Sequence, residues 1–315
     1  GFTRAGEAKA VPLALVKQAK ENPLKITLIT GASLGNDLDK QLTEAGVLAR
    51  RLPFQVDNTL RKAINNGEVM FIDQHLSETV EQMRNLQLKK PDVAIIEAIA
   101  ITEDGGIIPT TSVGNSASFA IFAEKVIVEI NTNLSPAFEG LHDIYIPSYR
   151  PTRQAIPLTQ VDERIGTHAI NIDPSKIVGI VINNEYHDSP STVTEPDDET
   201  QGIANHLINF FEQEVAAGRL PKDLGPLQAG IGSIANAVLT GLKDSNFEDL
   251  VMYSEVLQDC TFELIDAGKM KFASGSSITL SAKYGEKVFN NLDAYKDKLV
   301  LRPQEISNHP ELVRR

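Results

Sequence analysis

One carboxylate in the sequence stands where an α/β protein commonly places its chemistry. Glu255 follows a short apolar run at 250–253, and the residues after it predict the first turn of a helix. Open α/β sheets bind ligands at the carboxyl ends of their strands, and a helix N-terminus favours an ionised carboxylate. An ionised, fixed carboxylate can attack an activated carbonyl carbon. Glu255 is therefore a candidate nucleophile, and a helix-capping glutamate is the alternative interpretation.

A glycine pair upstream adds a possible anion site. Gly230-Ile231-Gly232 stands directly before an apolar helical run. Glycines at such a position let backbone N–H groups approach a ligand closely, and these groups bind phosphate or a developing oxyanion. Many tight turns also contain two glycines, so this pair indicates a ligand site only in combination with Glu255.

Other kinds of site have weaker support. The sequence has neither a Gly-x-x-x-x-Gly-Lys-Ser/Thr phosphate loop nor a Gly-x-Gly-x-x-Gly dinucleotide motif. Its six histidines form no metal-ligand cluster, so no metal site is predicted. A serine loop at 274–277 has no histidine tied to it. Glu97 ends an apolar run and is the rival nucleophile, with a hydrogen-bonded structural role as the simpler interpretation.

The motifs together resemble one family. The glycine pair, with Pro226-Leu227-Gln228 before it and Ser254-Glu255-Val256-Leu257-Gln258-Asp259 after it, is similar to the acetyl-CoA hydrolase/transferase family, a branch of the class I coenzyme A transferases. Residues 1–12 resemble its first glycine loop, Ser112-Val113-Gly114-Asn115-Ser116 a second, and 301–311 a late motif. Many class I enzymes have Ser-Glu-Asn-Gly around the nucleophile, whereas the Ser-Glu-Val-Leu found here is typical of this branch. The resemblance covers essentially the whole chain.

This resemblance implies a covalent mechanism. Glu255 would attack the thioester carbonyl of an acyl-CoA, and the anhydride formed would be converted to a glutamyl-CoA thioester that passes CoA to a second carboxylate. The amide of Ile231 would stabilise the oxyanion, and Asn308 would orient the nucleophile or bound CoA. The other positions that the resemblance assigns to CoA or substrate binding are Gly230, Gly232, Asn236, Gly114 and Asn115. CoA is a substrate here, and no tightly bound cofactor is expected.

The expected function is CoA transfer between a small acyl-CoA, such as acetyl-, propionyl- or succinyl-CoA, and a small carboxylate. A dry, closed cleft disfavours water as the acceptor. Hydrolysis of acetyl-CoA is the alternative within the same chemistry, and a catalytically silent CoA-binding domain is the alternative of a different class. Oligomeric state stays open, with a homodimer as one possibility.

Composition narrows the class of protein. A formal net charge of −12 disfavours general binding to nucleic acid or to an anionic membrane. No run approaches about 18 apolar residues, so no membrane span is predicted. A single cysteine, Cys260, and the lack of a visible secretory signal favour the cytoplasm.

The chain order predicts two open α/β domains with mainly parallel sheets and a site in the cleft between them. A length of 315 residues favours two domains. We place the first at 1–183, a linker at 184–200 and the second at 201–315, where it looks truncated because a helix start at 308–311 has few residues after it. Strands are predicted at 25–30, 69–73, 93–97, 126–130, 177–182 and 250–253, and a helix at 201–217. The loops at 31–35 and 73–78 should lie at the carboxyl edge of the first sheet.

Overall fold

The computed structural model describes residues 1–192 and 196–315, so residues 193–195 of the predicted linker lie outside the described part. The helices are α1 (Ala10–Glu21), α2 (Leu38–Glu44), α3 (Asn58–Asn65), α4 (Glu78–Arg84), α5 (Ser116–Phe122), α6 (Asp198–Ala216), α7 (Ser233–Asp244), α8 (Asp259–Asp266), α9 (Ala282–Phe289), α10 (Gln304–Ser307) and α11 (Pro310–Val313). The strands are β1 (Ile26–Ile29), β2 (Leu48–Leu52), β3 (Met70–Phe71), β4 (Val93–Ile101), β5 (Ile107–Pro109), β6 (Lys125–Asn131), β7 (Ile177–Asn183), β8 (Pro226–Leu227), β9 (Leu250–Tyr253), β10 (Val256–Leu257), β11 (Met270–Gly275), β12 (Ser277–Ile278) and β13 (Leu299–Leu301).

Parallel pairing dominates the sheets. The first sheet has the order β1-β2-β3 and is parallel throughout. The second has the order β5-β4-β6-β7, in which only the β4–β5 pair is antiparallel. The third, β13-β11-β9-β8, is parallel, and β10 and β12 form a separate parallel pair. These sheets, with helices between their strands, confirm the predicted mainly parallel α/β class.

One apolar core joins the second and third sheets. Buried side chains of β4 and β6, such as Ile96 and Val128, belong to the same cluster as Met252 of β9 and Leu301 of β13. The first sheet packs with α1, α2 and α3 around a smaller cluster of its own. The second and third sheets therefore share a continuous apolar interior, and Glu255 follows a strand of the third.

Strand β7 differs from its predicted burial. It lies at the edge of the second sheet, and its burial alternates along the strand. Val178, Ile180 and Ile182 are 57%, 57% and 61% exposed. A continuous apolar run predicted a strand buried on both faces, whereas in the structure one face is half-buried and the other is exposed.

Helix α6 confirms the predicted amphipathic helix with a start three residues earlier. Asp197 caps it by accepting a hydrogen bond from the Thr200 N–H group at 2.8 Å. Phe211 and Val215 pack against the large core, while Phe210 is 51% exposed. Among the described residues, no helix combines the length and the apolar character that a membrane crossing requires.

A buried charged cluster fastens the N-terminal loop to the second sheet. The Nζ atom of Lys9 lies 2.7 Å from a carboxylate oxygen of Glu97 in β4 and 2.7 Å from one of Asp188. It also donates to the Glu7 carbonyl oxygen at 2.6 Å. The Glu129 carboxylate in β6 accepts the N–H groups of residues 9, 10 and 11 at 2.8, 3.0 and 3.0 Å, which satisfies the start of α1.

Replacing Glu7 by Gln is expected to stabilise the protein at alkaline pH. Burial, and then the nearby Asp188 carboxylate, raise the pKa of Glu7 to about 7. Because the folded pKa exceeds the unfolded one, the unfolded chain loses this proton first as pH rises, and stability falls between about pH 4.5 and 7. Gln keeps the acceptor that binds the Gly35 N–H group at 2.9 Å but has no proton to lose.

Urea unfolding of both proteins at pH 5 and pH 8 measures this effect. We expect a gain for the variant on the order of 3 kcal/mol at pH 8 and little difference at pH 5. Equal stability of the two proteins at both pH values would contradict the assignment. Glu44→Gln, at the end of α2, is the control for removing a charge outside the cluster.

Candidate active site

Glu255 lies at the carboxyl end of β9, between that strand and β10. The Ser254 N–H group donates to the Ser274 carbonyl oxygen at 2.9 Å. The Glu255 carbonyl oxygen accepts the N–H groups of Ser276 at 2.7 Å and Ser277 at 3.2 Å. These bonds fix the backbone on both sides of the carboxylate, at the sheet edge where parallel α/β proteins bind ligands.

The local structure around Glu255 corrects one prediction. Val256 and Leu257 do not begin a helix but pair with Ser277 and Ile278 as β10 and β12. Helix α8 begins only at Asp259. The distant partner strand overrides the local helical pattern, and the expected first-turn position of Glu255 at a helix N-terminus is therefore wrong.

A cavity of about 330 Å³ opens beside the Glu255 carboxylate. Its lining combines distant parts of the chain: Phe54, Asp73, Gln74, His75, Leu76, Glu255 and Asn308. Asn308 follows α10, and its N–H group donates to the Gln304 carbonyl oxygen at 2.9 Å. Two predicted site residues, Glu255 and Asn308, thus share one cavity.

Buried polar contacts hold the walls of this cavity together. The Gln304 Nε2 atom donates to the carbonyl oxygens of Gly31 and Leu76, each at 2.9 Å. Arg84 of α4 forms a two-bond ion pair with Glu305, with Nη1–Oε1 and Nη2–Oε2 distances of 2.5 and 2.9 Å. Helix α10 is therefore tied to the 74–77 loop, and Asn308, which follows α10, lines the same cavity as that loop.

Burial outweighs the neighbouring polar groups in setting the pKa of Glu255. Burial raises the pKa of Glu255, while the Asn308 amide and then the His75 imidazole lower it. The Asn308 Nδ2 atom is buried and has no hydrogen bond of normal geometry among the described residues. An unpartnered N–H donor therefore faces the carboxylate, and a donor in that position can serve a carboxylate or a developing oxyanion.

The glycine loop lines a different cavity. Gly232, with φ 149°, precedes α7, and Ile231 is 65% exposed. The loop, with apolar side chains of α6 and α7, surrounds a volume of about 560 Å³. It is joined to the segment of Glu255 because Ser254 Oγ donates to the Ala229 carbonyl oxygen at 3.1 Å and Gln258 Nε2 to that of Gly230 at 3.2 Å.

The remaining predicted binding residues line neither cavity. Asn236 lies inside α7, where its Oδ1 atom is 3.8 Å from the Cys260 sulfur. Gly114 has a φ of +49°, and an added Cβ there would lie 2.8 Å from the Gly1 carbonyl oxygen. Asn115 is 2% exposed, and neither polar atom of its side chain has a partner among the described residues. Their proposed contacts with CoA or substrate stay predictions.

Five cavity residues were not singled out from sequence. Four of them, Asp73, Gln74, His75 and Leu76, belong to the polar loop after β3, whose position at the carboxyl edge was the available signal. Phe54 had no such signal, because an aromatic residue after an unpredicted strand, β2, carries no chemical pattern. These residues come close to Glu255 only through the tertiary fold.

One motif was overlooked in the sequence: Gly31-Ala32-Ser33-Leu34-Gly35 has the Gly-x-Ser-x-Gly spacing of serine hydrolases. Ser33 is 5% exposed, and its carbonyl oxygen accepts the Arg4 N–H group at 3.1 Å. In residues 1–192 and 196–315, no histidine nitrogen is hydrogen-bonded to its hydroxyl group. The arrangement lacks the base that an attacking serine needs.

The rival nucleophiles are also engaged elsewhere. Glu97 is 2% exposed and accepts from Lys9, Thr110 and Asn131 at 2.7, 2.6 and 2.9 Å. This is the hydrogen-bonded structural role expected for it. Cys260 is buried in α8, and burial raises the pKa of its thiol to about 12, which disfavours the reactive thiolate.

Comparison with known proteins finds a matching family and curated relatives that cover the whole of this chain. Residues 1–182 match the family model described as the acetyl-CoA hydrolase/transferase N-terminal domain. An acetyl-CoA hydrolase of Schizosaccharomyces pombe is 45% identical over 325 residues, covering 100% of this chain and 62% of the relative. A succinyl-CoA:acetate CoA-transferase of Clostridium kluyveri is 44% identical over 317 residues, covering 100% of this chain and 59% of the relative. The chain therefore spans about three fifths of these curated relatives.

Solved structures show the same fold at low identity. RipA from Yersinia pestis superposes with a TM-score of 0.69 at 16% identity, covering 99% of this chain and 66% of that chain. A 4-hydroxybutyrate CoA-transferase from Porphyromonas gingivalis gives a TM-score of 0.58 at 20% identity, covering 98% and 70%. These likenesses concern the fold alone, and it is the family match over residues 1–182 that shows that the chain belongs to the acetyl-CoA hydrolase/transferase family.

Proposed function

We propose that the protein transfers CoA between a small acyl-CoA, such as acetyl-, propionyl- or succinyl-CoA, and a small carboxylate, with Glu255 as the nucleophile. The observation that carries this proposal is the placement of a half-buried glutamate, with its backbone fixed, beside a cavity that also holds an unpartnered amide. Curated relatives named as a CoA-transferase and as an acetyl-CoA hydrolase support the same chemistry.

The reaction needs no proton transfer. A carboxylate oxygen of Glu255 attacks the thioester carbonyl carbon, the C–S bond breaks, and CoA leaves as the thiolate. The thiolate then attacks the glutamyl carbonyl carbon of the anhydride, the acid leaves as its carboxylate, and a glutamyl-CoA thioester remains. A second carboxylate reverses these steps. Since carboxylate and thiolate are both stable anions near neutral pH, the main requirement is donors for each oxyanion, for which we propose the Ile231 amide and Asn308 Nδ2.

Hydrolysis is the second candidate, because water could accept the acyl group from the same intermediates. The Schizosaccharomyces pombe relative is named as an acetyl-CoA hydrolase, and a cavity open to solvent would favour hydrolysis. A CoA-binding protein without catalysis is the third candidate. These candidates differ in whether CoA becomes covalently attached and in whether acetyl-CoA is consumed.

Mass spectrometry of the intact protein and of its peptides, after incubation with acetyl-CoA, distinguishes these three candidate functions. We expect a CoA-sized adduct on the peptide containing Glu255, absent from Glu255→Ala and retained by Glu248→Gln, an exposed control near β9. Consumption of acetyl-CoA without an adduct would support direct attack by water. A protein that binds CoA without consuming acetyl-CoA would be the silent binding protein.

Replacing Asn308 by Ala is expected to shift the acidic limb of the pH profile of kcat/KM to higher pH. The Asn308 amide lowers the pKa of Glu255, so its removal leaves the carboxylate protonated to a higher pH. We expect the acidic limb of kcat/KM to move to higher pH. The rate of adduct formation, measured from pH 4.5 to 8, tests this directly. Asn65→Ala, an exposed control in α3, should keep the original profile, and a downward shift for Asn308→Ala would refute the proposed role.

A further inference from the structure

The cavity beside Glu255 has an uneven set of polar groups. Asp73 and Glu255 contribute carboxyl groups, Gln74 and Asn308 contribute amides, and Phe54 and Leu76 are apolar. Among the residues that line this cavity, His75 is the one whose side chain can be positively charged. While Glu255 is bound to CoA as a thioester it has no charge, so an acceptor carboxylate that enters this cavity meets the like charge of Asp73, and like charges at short distance oppose binding unless a donor compensates.

The His75 side chain is held in place by its own loop. Its Nδ1 atom lies 3.0 Å from the hydroxyl oxygen of Ser77, which is 4% exposed. When that hydroxyl group donates to Nδ1, the proton of a neutral imidazole is on Nε2, and a charged imidazole has a proton there as well. No hydrogen bond joins Nε2 to another described residue. His75 therefore keeps a free N–H donor at the nitrogen that Ser77 does not use.

The loop that carries His75 is fixed relative to the rest of the site. The His75 carbonyl oxygen accepts the Glu78 N–H group at 2.9 Å, at the start of α4. The adjacent Leu76 carbonyl oxygen accepts from Gln304, in the short helix that Asn308 follows. His75 also acts electrostatically on Glu255, whose pKa it lowers. The imidazole and the nucleophile thus belong to one connected site.

We propose that His75 binds the carboxylate of the acceptor acid through its Nε2–H group and positions it against the glutamyl-CoA thioester. This proposal rests on the proposed CoA transfer at Glu255. In the step concerned, the bound carboxylate oxygen attacks the glutamyl carbonyl carbon, the C–S bond breaks and CoA leaves as the thiolate. The acceptor acid and Glu255 are then joined as a mixed anhydride. The thiolate then attacks the acyl carbonyl carbon, which releases the new acyl-CoA and the Glu255 carboxylate. His75 gives up no proton, so its contribution is to binding and orientation.

Steady-state kinetics with separate variation of the two substrates tests this assignment. For His75→Leu we expect the KM for the acceptor carboxylate to rise at least tenfold, with the KM for acyl-CoA within about twofold of the original. His75→Gln retains an N–H donor near the Nε2 position and should recover most of the loss. His206→Leu, an exposed change on α6, is the matched control. A structural role alone would affect both KM values or neither.

Adduct formation from acetyl-CoA distinguishes a failure of the proposed role of His75 from a failure of the proposed CoA transfer at Glu255. A Glu255–CoA adduct that forms normally in His75→Leu, together with a raised acceptor KM, supports the role of His75. A normal adduct with an unchanged acceptor KM overturns that role and leaves the proposed function intact. Absence of the adduct in the original protein overturns the proposed function, and the role of His75 falls with it.

Discussion

A Glu255→Gln protein is expected to lose CoA transfer by roughly 10³-fold or more in kcat, because a neutral amide cannot replace a carboxylate nucleophile. The side chain keeps its size and its place beside Asn308, so the loss should not come from unfolding. Burial raises the pKa of Glu255, which means that the folded protein disfavours the ionised form. Gln has no such cost, and thermal stability at pH 8 should be equal or higher than that of the original protein.

Glu255→Asp provides a sharper test of the same idea. It keeps the carboxylate but withdraws it by one methylene group, and a displacement on the order of 1 Å can cost about 10²-fold in rate. We therefore expect a variant with weak but measurable transfer and a detectable adduct. Measuring the CoA-transfer rates of both variants and of the exposed control Glu248→Gln ranks their activities. Full activity in Glu255→Gln would show that another group attacks the thioester.

Much of the fold could be predicted because its strands are locally encoded. The runs that form β1, β4 and β6 are mainly apolar and rich in β-branched residues, the run of β9 is apolar, and the structure places strands at all four. β2 was not predicted, because two arginines interrupt its apolar pattern. Arg51 is nevertheless fully buried, since Asp39 accepts from its Nε atom at 2.7 Å and Thr30 Oγ1 from its Nη1 atom at 2.9 Å. That compensation depends on tertiary contacts, which no local pattern contains.

The site was predictable to a different degree for each residue. Glu255 could be found because an acidic residue directly after a buried strand is a local signal. Asn308 came from the resemblance to the family, and the structure brings it to the same cavity. His75 lies about 180 positions before Glu255 in the sequence, and the tertiary fold brings both to one cavity, where α10 is hydrogen-bonded to the loop of His75. The helix expected at Glu255 was wrong for the same reason, because the partner of β10 is a distant strand.

Replacing Lys9 by Met is expected to cost about 3 to 5 kcal/mol of stability at pH 8, because breaking a buried ion pair leaves its partners uncompensated. Both side chains of the Lys9–Glu97 pair are fully buried, and Asp188 makes a second contact with the same ammonium group. Burial alone would lower the pKa of Lys9, but the carboxylates of Asp188, Glu97 and Glu7 raise it well above its ordinary value. The ammonium group therefore stays charged throughout the range in which the protein can be studied.

The pH dependence of the stability lost in Lys9→Met identifies the cause of that loss. Burial raises the pKa of Glu97, and Glu7 has a pKa of about 7, so these carboxyl groups can take up protons once the lysine is gone. The penalty for Lys9→Met should accordingly be smaller at pH 5 than at pH 8, and Lys9→Met/Glu97→Gln should recover part of it. Lys89→Met breaks an exposed pair, with side chains 79% and 69% exposed, and should change stability little at either pH because water screens such pairs. Urea unfolding of these variants at both pH values measures each difference. A penalty for Lys9→Met that does not change with pH would point to lost packing of the lysine side chain, because a cavity or a steric clash is indifferent to protonation.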